Sequence, residues 1–312
     1  MPWYESFDSV VARRLPTLRI LRDEPMAGHT TFRIGGPARR MAFPASPEEL
    51  AALLALAERE GWPWMAAGNG SNLLAADEGV DLLVIATGRM DRLERLAGNT
   101  IRAWAGVSLA RLAVFAMEQG LQGLAFAHGI PGSLGGAVFM NAGAYGGEMC
   151  QVVSSVTAWL PGRGVATLSG PELAFGYRRS CFGSNGGVAL YADLALTPGD
   201  SQAIRREMEE LIRRRREKQP LEYPSAGSTF KRPAGHYAGA LIQQCGLKGA
   251  CVGGAMVSPK HAGFVINTGG ATCADVLALM DLVRETVLRE TGVVLEPEVR
   301  VLSGPAGEKA GH

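Results

Sequence analysis

The chain has 312 residues, 47% of them hydrophobic and 20% charged, with a formal net charge of +1. That length exceeds what one hydrophobic core usually fills, so two domains or a lobed interior are expected, and the balanced charge offers no field for nucleic acid or a membrane surface. The five cysteines, Cys150, Cys181, Cys245, Cys251 and Cys273, form no C-x-x-C pair, which argues against a disulfide framework or a zinc site and for reduced thiols in a cytoplasmic protein.

Glu5, Asp8, Arg13 and Arg14 interrupt the N-terminal stretch where an export signal needs an apolar centre, so export is not expected. Apolar runs such as Leu82 to Ala86 fall far short of the roughly 20 residues of a spanning helix, and no membrane insertion is expected. Ser46-Pro47-Glu48-Glu49 reads as a capping box with proline at the first helical position; it opens a helix to Arg59 that Gly61 closes. Strands are predicted at 81–86 and 101–105, then a helix from Ser108 that stops at Gly120. Further strands are predicted at 152–160 and 188–196, bounded by Pro-Gly turns. From Asp200 to Lys218 the pattern is helical and strongly charged, and RRRREKQP ends it at Pro220. The composition shift places a domain break near residue 200. Beyond it come a helix near 236–245, strands near 251–257 and 262–267, a helix from Thr272 to Gly292 with a Thr-x-x-Asp box ending in Asp275, and a strand at 293–302.

Two segments follow neither period. AAGNGSNLLAADEG spans 66–79, and AHGIPGSLGGAVFMNAGAYGGE spans 127–148 with seven glycines in 22 positions. Glycine admits positive φ and lets backbone N–H groups approach a ligand that a Cβ would block, and converging N–H groups make an anion nest. Neither segment holds a lysine or arginine, so a diphosphate held there would depend on backbone dipoles. A nicotinamide-Rossmann reading of GNGSNL fails, since Leu73 stands where the third glycine belongs and a strand-like run follows where a helix should.

HTTFRIGGPA (29–38), GNGSNLL (68–74), GIPGSLGGAVFMNAGAYGGE (129–148), YRRSCF (177–182), PSAGSTFKRP (224–233) and LEPEVRVL (295–302) occur in this order and together resemble the UDP-N-acetylenolpyruvoylglucosamine reductase family. The resemblance covers roughly residues 20 to 302. It implies an α+β fold: a two-lobed FAD-binding domain of the p-cresol methylhydroxylase type over 1–200, with lobes of about 22–104 and 105–200, followed by a smaller α+β substrate-binding domain over 201–312. It implies noncovalent FAD, NADPH as hydride-donating cosubstrate, a UDP-sugar substrate, no nucleic-acid partner, and a cytoplasmic monomer in peptidoglycan precursor synthesis. Gly68, Asn69, Gly70, Ser71 and Asn72 would contact the FAD pyrophosphate. Gly129, Ile130, Pro131, Gly132 and Ser133, with Gly136, Asn141, Gly143 and Ala144, would line the diphosphate and isoalloxazine region. His128 beside this stretch reads as a hydrogen-bonding spacer rather than a point of covalent flavin attachment.

Reducing an enolpyruvyl ether requires hydride at one vinyl carbon and a proton at its neighbour, and the charge that develops between them needs fixed cations and a positioned acid. The resemblance assigns the carboxylate contact to Arg178, the proton donor to Ser228 and an essential carboxyl to Glu298. Taken alone, Arg178 reads as a surface charge, Ser228 as a turn hydroxyl, and Glu298 as one of three polar residues on a strand face. A cation for the substrate diphosphate falls to Arg215 or Arg216. Tyr237 is either an aromatic closing over substrate or a packing residue. Little more than forty residues separate Arg178 from PSAGSTFKRP, which fits the compact type II branch. Two alternatives remain open: another FAD-linked oxidase or dehydrogenase of the same fold, and a serine acyl-transferase using the literal S-x-x-K of Ser228 and Lys231, although Pro233 and Gly235 oppose the helix that motif needs.

Overall fold

The computed structural model describes residues 2–303. The described residues divide into two compact units, each assembled from three pieces of chain: those within Met1–Leu21, Arg40–Asn69 and Leu83–Arg215, and those within Arg22–Arg39, Gly70–Leu82 and Arg216–His312. Nothing in composition marks the short stretches 22–39 and 70–82, which fall in the second unit.

The first unit is built on a five-stranded antiparallel sheet, ordered Gly164–Ser169, Val153–Leu160, Val188–Ala195, Thr100–Trp104 and Leu93–Arg95. The helix Leu109–Glu118, capped by Ser108 accepting from Arg111 N–H, buries Leu109, Leu112, Ala113 and Ala116. These side chains join Val156, Ala158 and Leu194 of the sheet in one core. A second core gathers Phe7 and Val11 of the helix Trp3–Arg14, Leu50, Leu53 and Leu54 of the helix Pro47–Glu60, and Trp159. The Pro47–Glu60 helix follows its sequence signals: Ser46 accepts from Glu49 N–H and Gly61 closes it at φ 69°. The helix Trp3–Arg14 has no side-chain cap, and without that signal the sequence does not announce it. It is held instead by tertiary contacts. Asp8 makes a two-pronged pair with Arg40, which is 6% exposed and lies over the Tyr4 ring.

The second unit packs the helix Cys273–Thr291 through Val276, Leu279, Met280 and Val283 against a core that includes Val257, Val265, Phe32 and Leu74. Its capping box is formed as expected, with Thr272 and Asp275 reciprocally bonded and Gly292 in the left-handed conformation. The run 251–257 is a hairpin, Cys251–Val252 with Ala255–Val257, rather than one strand, because Gly253 turns at φ 51°. Of the strand expected at 293–302, only Arg300–Leu302 forms, parallel to Leu73–Ala75. Upstream, Pro297 makes only an isolated bridge to Phe230, since proline has no N–H for a ladder.

His261 in this unit accepts Gly263 N–H at Nδ1 (3.1 Å) and meets Phe264 edge-on. Burial, aided by Lys248, holds its pKa below the ordinary 6.5. The unfolded chain therefore binds a proton first as pH falls, so stability is full above about 6.5 and declines from there toward the depressed folded value. The drop in unfolding midpoint between pH 8 and pH 5.5 should be smaller in His261→Asn; an unchanged drop would remove this histidine as a contributor.

Candidate functional site

In the first unit the glycine-rich stretch is anchored on both sides. Gly132 O accepts Leu109 N–H, Leu134 N–H donates to Val107 O (2.8 Å) and Gly135 N–H donates to Ala105 O (2.8 Å). Ser133 lies within this clamp and precedes a short helix, Leu134–Phe139. From the end of the strand Trp64–Ala67, Asn69 Nδ2 donates to Pro131 O (3.2 Å). A Cβ on Gly68 would collide with Ser133 Oγ. Thus Gly68, Asn69, Pro131 and Ser133, four of the residues expected at the cofactor, are brought together.

The other glycines of the stretch have mixed reasons. Gly135 lies against Ala105, and Gly147 against the Phe126 ring, so both serve close packing. Gly136 is exposed, with Ser133 Oγ its nearest neighbour at 3.7 Å from a would-be Cβ. Ser133 is 1% exposed and its Oγ has no hydrogen-bond partner. A buried hydroxyl left so costs about 1–3 kcal/mol, and a ligand oxygen would relieve it. That orphaned donor, beside Gly68, suits an anionic group held without lysine or arginine.

Past this helix the chain forms a tight hairpin, Gly143–Ala144 with Gly147–Glu148, turning on Tyr145 (φ 53°) and Gly146 (φ 88°). Asn141, expected to line the cofactor, commits its amide to protein: Nδ2 donates to Glu148 Oε2 (2.9 Å) and Gly176 O (3.1 Å), and Oδ1 accepts Cys150 N–H (2.9 Å). Arg178 sits at φ 54° in a turn closed by paired Gly176–Arg179 backbone bonds. Its Nη1 and Nη2 reach Gly143 O, each at 3.4 Å, and its guanidinium lies 5.4 Å from the Tyr177 ring centre.

The arginine run separates by partner. Arg213 and Arg214 pair with Glu210 (2.9 and 2.7 Å), whose carboxyl they push down to about 2. Arg215 is half-buried; its Cδ lies 3.2 Å from where a Gly129 Cβ would stand. Among the described residues it makes no ion pair, and burial lowers its pKa. Arg216 is exposed and falls in the other unit.

In the second unit Ser228 and Glu298 are held on one backbone ladder. Thr229 N–H donates to Gly263 O (2.9 Å), Glu298 N–H to Thr229 O (2.9 Å) and Lys231 N–H to Glu296 O (2.8 Å). Thr229, 2% exposed, also accepts Val265 N–H at Oγ1 (3.0 Å). Ser228 itself is exposed and follows Gly227 at φ 77°. Asn72 Nδ2 donates to Glu298 O (2.9 Å), and Arg300 N–H to Asn72 O (3.0 Å). Gly70 O accepts Thr31 N–H (3.2 Å), while Thr31 Oγ1 donates to Ser225 O (2.7 Å). Ser71 lies between these two anchors, half-buried. The expected glycine loop is therefore divided, with Gly68 and Asn69 in the first unit and Gly70, Ser71 and Asn72 in the second.

Ser228 is in no helix, and Lys231 pairs with Glu296 (3.3 Å), so the S-x-x-K reading lacks its geometry. Tyr237 is 63% exposed and stacks on Arg232, whose guanidinium carbon is 3.9 Å from the ring centre. Sequence reasoning missed Thr31, Thr229 and Asp77. Asp77 caps the helix Cys273–Thr291 by accepting Cys273 N–H (2.7 Å) and Ala274 N–H (3.1 Å). Nothing local signals a cap from so far along the chain. Burial, with Asp77 nearby, raises the Cys273 thiol to about 12, which keeps it protonated and unreactive. Among the described residues no cluster of metal-ligating side chains occurs.

Residues 38–168 match the family model described as FAD binding domain, and residues 219–302 match that of the UDP-N-acetylenolpyruvoylglucosamine reductase C-terminal domain. Curated proteins named UDP-N-acetylenolpyruvoylglucosamine reductase from Levilactobacillus brevis and Heliobacterium modesticaldum are each 47% identical over 292 residues, covering 94% and 93% of the chain and 96% and 93% of the relatives. The crystal structure of UDP-N-acetylenolpyruvylglucosamine reductase from Thermus caldophilus superposes with a TM-score of 0.77 at 37% identity, covering 91% of this chain and 98% of that one.

Proposed function

Because the chain belongs to the UDP-N-acetylenolpyruvoylglucosamine reductase family, we propose that Arg178, Ser228 and Glu298 are the residues through which it acts. It is an FAD-dependent oxidoreductase of α+β fold, with an FAD-binding domain of the p-cresol methylhydroxylase type. It uses NADPH to reduce the enolpyruvyl group of UDP-N-acetylglucosamine-enolpyruvate to UDP-N-acetylmuramate in peptidoglycan precursor synthesis.

The orphaned Ser133 Oγ and the glycine at 68 fit the FAD pyrophosphate. Gly68 and Asn69 with Gly129 to Ser133, and Gly70, Ser71 and Asn72, are the residues that would hold it. Gly136, Gly143 and Ala144 would line the isoalloxazine side. When bound, FAD would supply the hydride chemistry that links NADPH to the vinyl carbon.

The chain's own residues handle charge and protons. Arg178 opposes the substrate carboxylate, where negative charge grows as the vinyl group is reduced. A guanidinium fixed at its turn is already oriented when that charge appears. Ser228, with its backbone locked through Thr229, gives its proton to the carbon next to the reduced one. Glu298 is kept in register with that serine by the Thr229–Glu298 backbone bond, and its carboxyl, once protonated from solvent, can reprotonate the serine oxygen. Arg215, half-buried without a carboxylate partner among the described residues, is assigned to the substrate diphosphate, whereas Arg216 and Tyr237 are left at the surface. In this reading the flavin and substrate parts divide near residue 200, the branch is the compact type II, and the enzyme works as a cytoplasmic monomer. No helix among the described residues is long and apolar enough to cross a membrane.

The observation that carries the reading is the ladder joining Ser228-Thr229 to Glu298. The test is a colour cycle: the purified protein is yellow, NADPH bleaches it, and the enolpyruvyl nucleotide restores the absorbance. Failure to recolour would reject the substrate. Arg178→Lys keeps the charge but loses the planar fork; kcat/KM for the nucleotide should fall roughly 100-fold, the scale of one oriented donor. Undiminished turnover would take Arg178 out of the reaction.

A further inference from the structure

We propose that Asn141 is a positioning residue for Arg178, not a cofactor contact. The carboxamide is 2% exposed and all its capacity points inward. A primary amide has two N–H donors and one carbonyl; here both donors are used, on Glu148 Oε2 and Gly176 O, and the carbonyl takes Cys150 N–H. The orientation is unambiguous, because the flipped amide would face an N–H with an N–H and two oxygens with an oxygen.

Gly176 is the base of the turn that carries Arg178. Its carbonyl accepts both Arg179 N–H, which closes the turn, and the Asn141 amide. The far end of Arg178 touches the hairpin on the other side of Asn141, at Gly143 O. Asn141 therefore ties together the two backbone segments between which the guanidinium is stretched. Both Asn141 (φ 41°) and Arg178 (φ 54°) are in the left-handed region, which costs a non-glycine residue of order 1 kcal/mol or more and persists only when neighbours hold it. Asparagine tolerates that conformation better than most residues. A surface cation with free rotation needs no such scaffold.

The inference rests on the catalytic reading of Arg178, and a double-mutant cycle separates the two. Asn141→Gly removes the amide while keeping φ accessible. Asn141→Asp keeps shape and the acceptor for Cys150 but cannot donate to Gly176, and serves if the glycine variant does not fold. Each should bind FAD and be reduced by NADPH at close to the unsubstituted rate. Each should lose about 10- to 100-fold in kcat/KM for the enolpyruvyl nucleotide, the scale of a misplaced contact group. In an Arg178→Ala background the same change should cost less than about twofold, since the group it serves is gone. Equal losses in both backgrounds would overturn the proposal, as would loss of bound flavin from Asn141→Gly and Asn141→Asp, which would return Asn141 to the cofactor. Normal turnover in Arg178→Ala alone would instead sink the reading of Arg178, and the role of Asn141 with it.

Discussion

Ser228→Ala yields a yellow protein that NADPH bleaches at the normal rate but that forms product about 10²- to 10⁴-fold more slowly, the usual contribution of a positioned general acid. The expectation follows from what the substitution leaves alone. Ser228 is exposed, so no packing is lost, and the backbone is held through Thr229, whose N–H, carbonyl and hydroxyl are bonded to Gly263, Glu298 and Val265. Stability should therefore stay within about 0.5 kcal/mol, as for other surface changes. A serine hydroxyl is a weak acid, so it protonates only a strongly basic carbon, and without that proton the carbanionic product of hydride delivery gives its hydride back, so net reoxidation of the flavin stalls. Stopped-flow absorbance separates the halves. Bleaching unaffected with recolouring slowed supports the assignment; recolouring at the normal rate rejects it.

Gly70→Ala strips flavin from the protein. The new methyl would collide with His29 O and come within 2.9 Å of Thr30 Cα, at a residue with φ 62°. The obstacle is backbone, which cannot rotate aside, and Gly70 O is itself bonded to Thr31 N–H. The loop must move. With about 1–3 kcal/mol of strain at such a position, FAD affinity should drop roughly 10- to 100-fold, measured by fluorescence titration of apoprotein. Gly61→Ala is the control, since φ is 69° but nothing lies within 4 Å of the added carbon. It should cost on the order of 1 kcal/mol in stability and leave flavin binding intact. Equal FAD affinity in both variants would mean that the glycine loop does not grip the cofactor.

Much of the local structure was legible from residue order. The helices Pro47–Glu60, Leu109–Glu118 and Cys273–Thr291 start at Ser46, Ser108 and Thr272 because a cap and its amide partner lie within one turn of each other. The strands Val80–Ala86, Val153–Leu160 and Val188–Ala195 were readable in their apolar content. Trp3–Arg14 was not, because its support is Asp8 meeting Arg40, a pairing no local window contains. The run 293–302 looked like a strand from its valines and leucines, yet only Arg300–Leu302 forms one, and Pro297 makes no more than a bridge.

The candidate site divides the same way. Motifs in order carry the family resemblance, and through it the proposal that glycine loops hold a nucleotide-linked flavin and that Arg178, Ser228 and Glu298 serve the substrate. Residue types and spacings carry that information because donors, acceptors and positive φ are properties of single residues and short turns. Only the tertiary structure decided that Gly147 packs on Phe126 and Gly135 on Ala105, that Asn141 spends its amide on the Arg178 turn, and that Asn72 holds the Glu298 carbonyl. The two asparagine contacts are hydrogen bonds between residues 35 and 226 positions apart. Such bonds form when packing brings distant segments together, and a linear string carries no local trace of them.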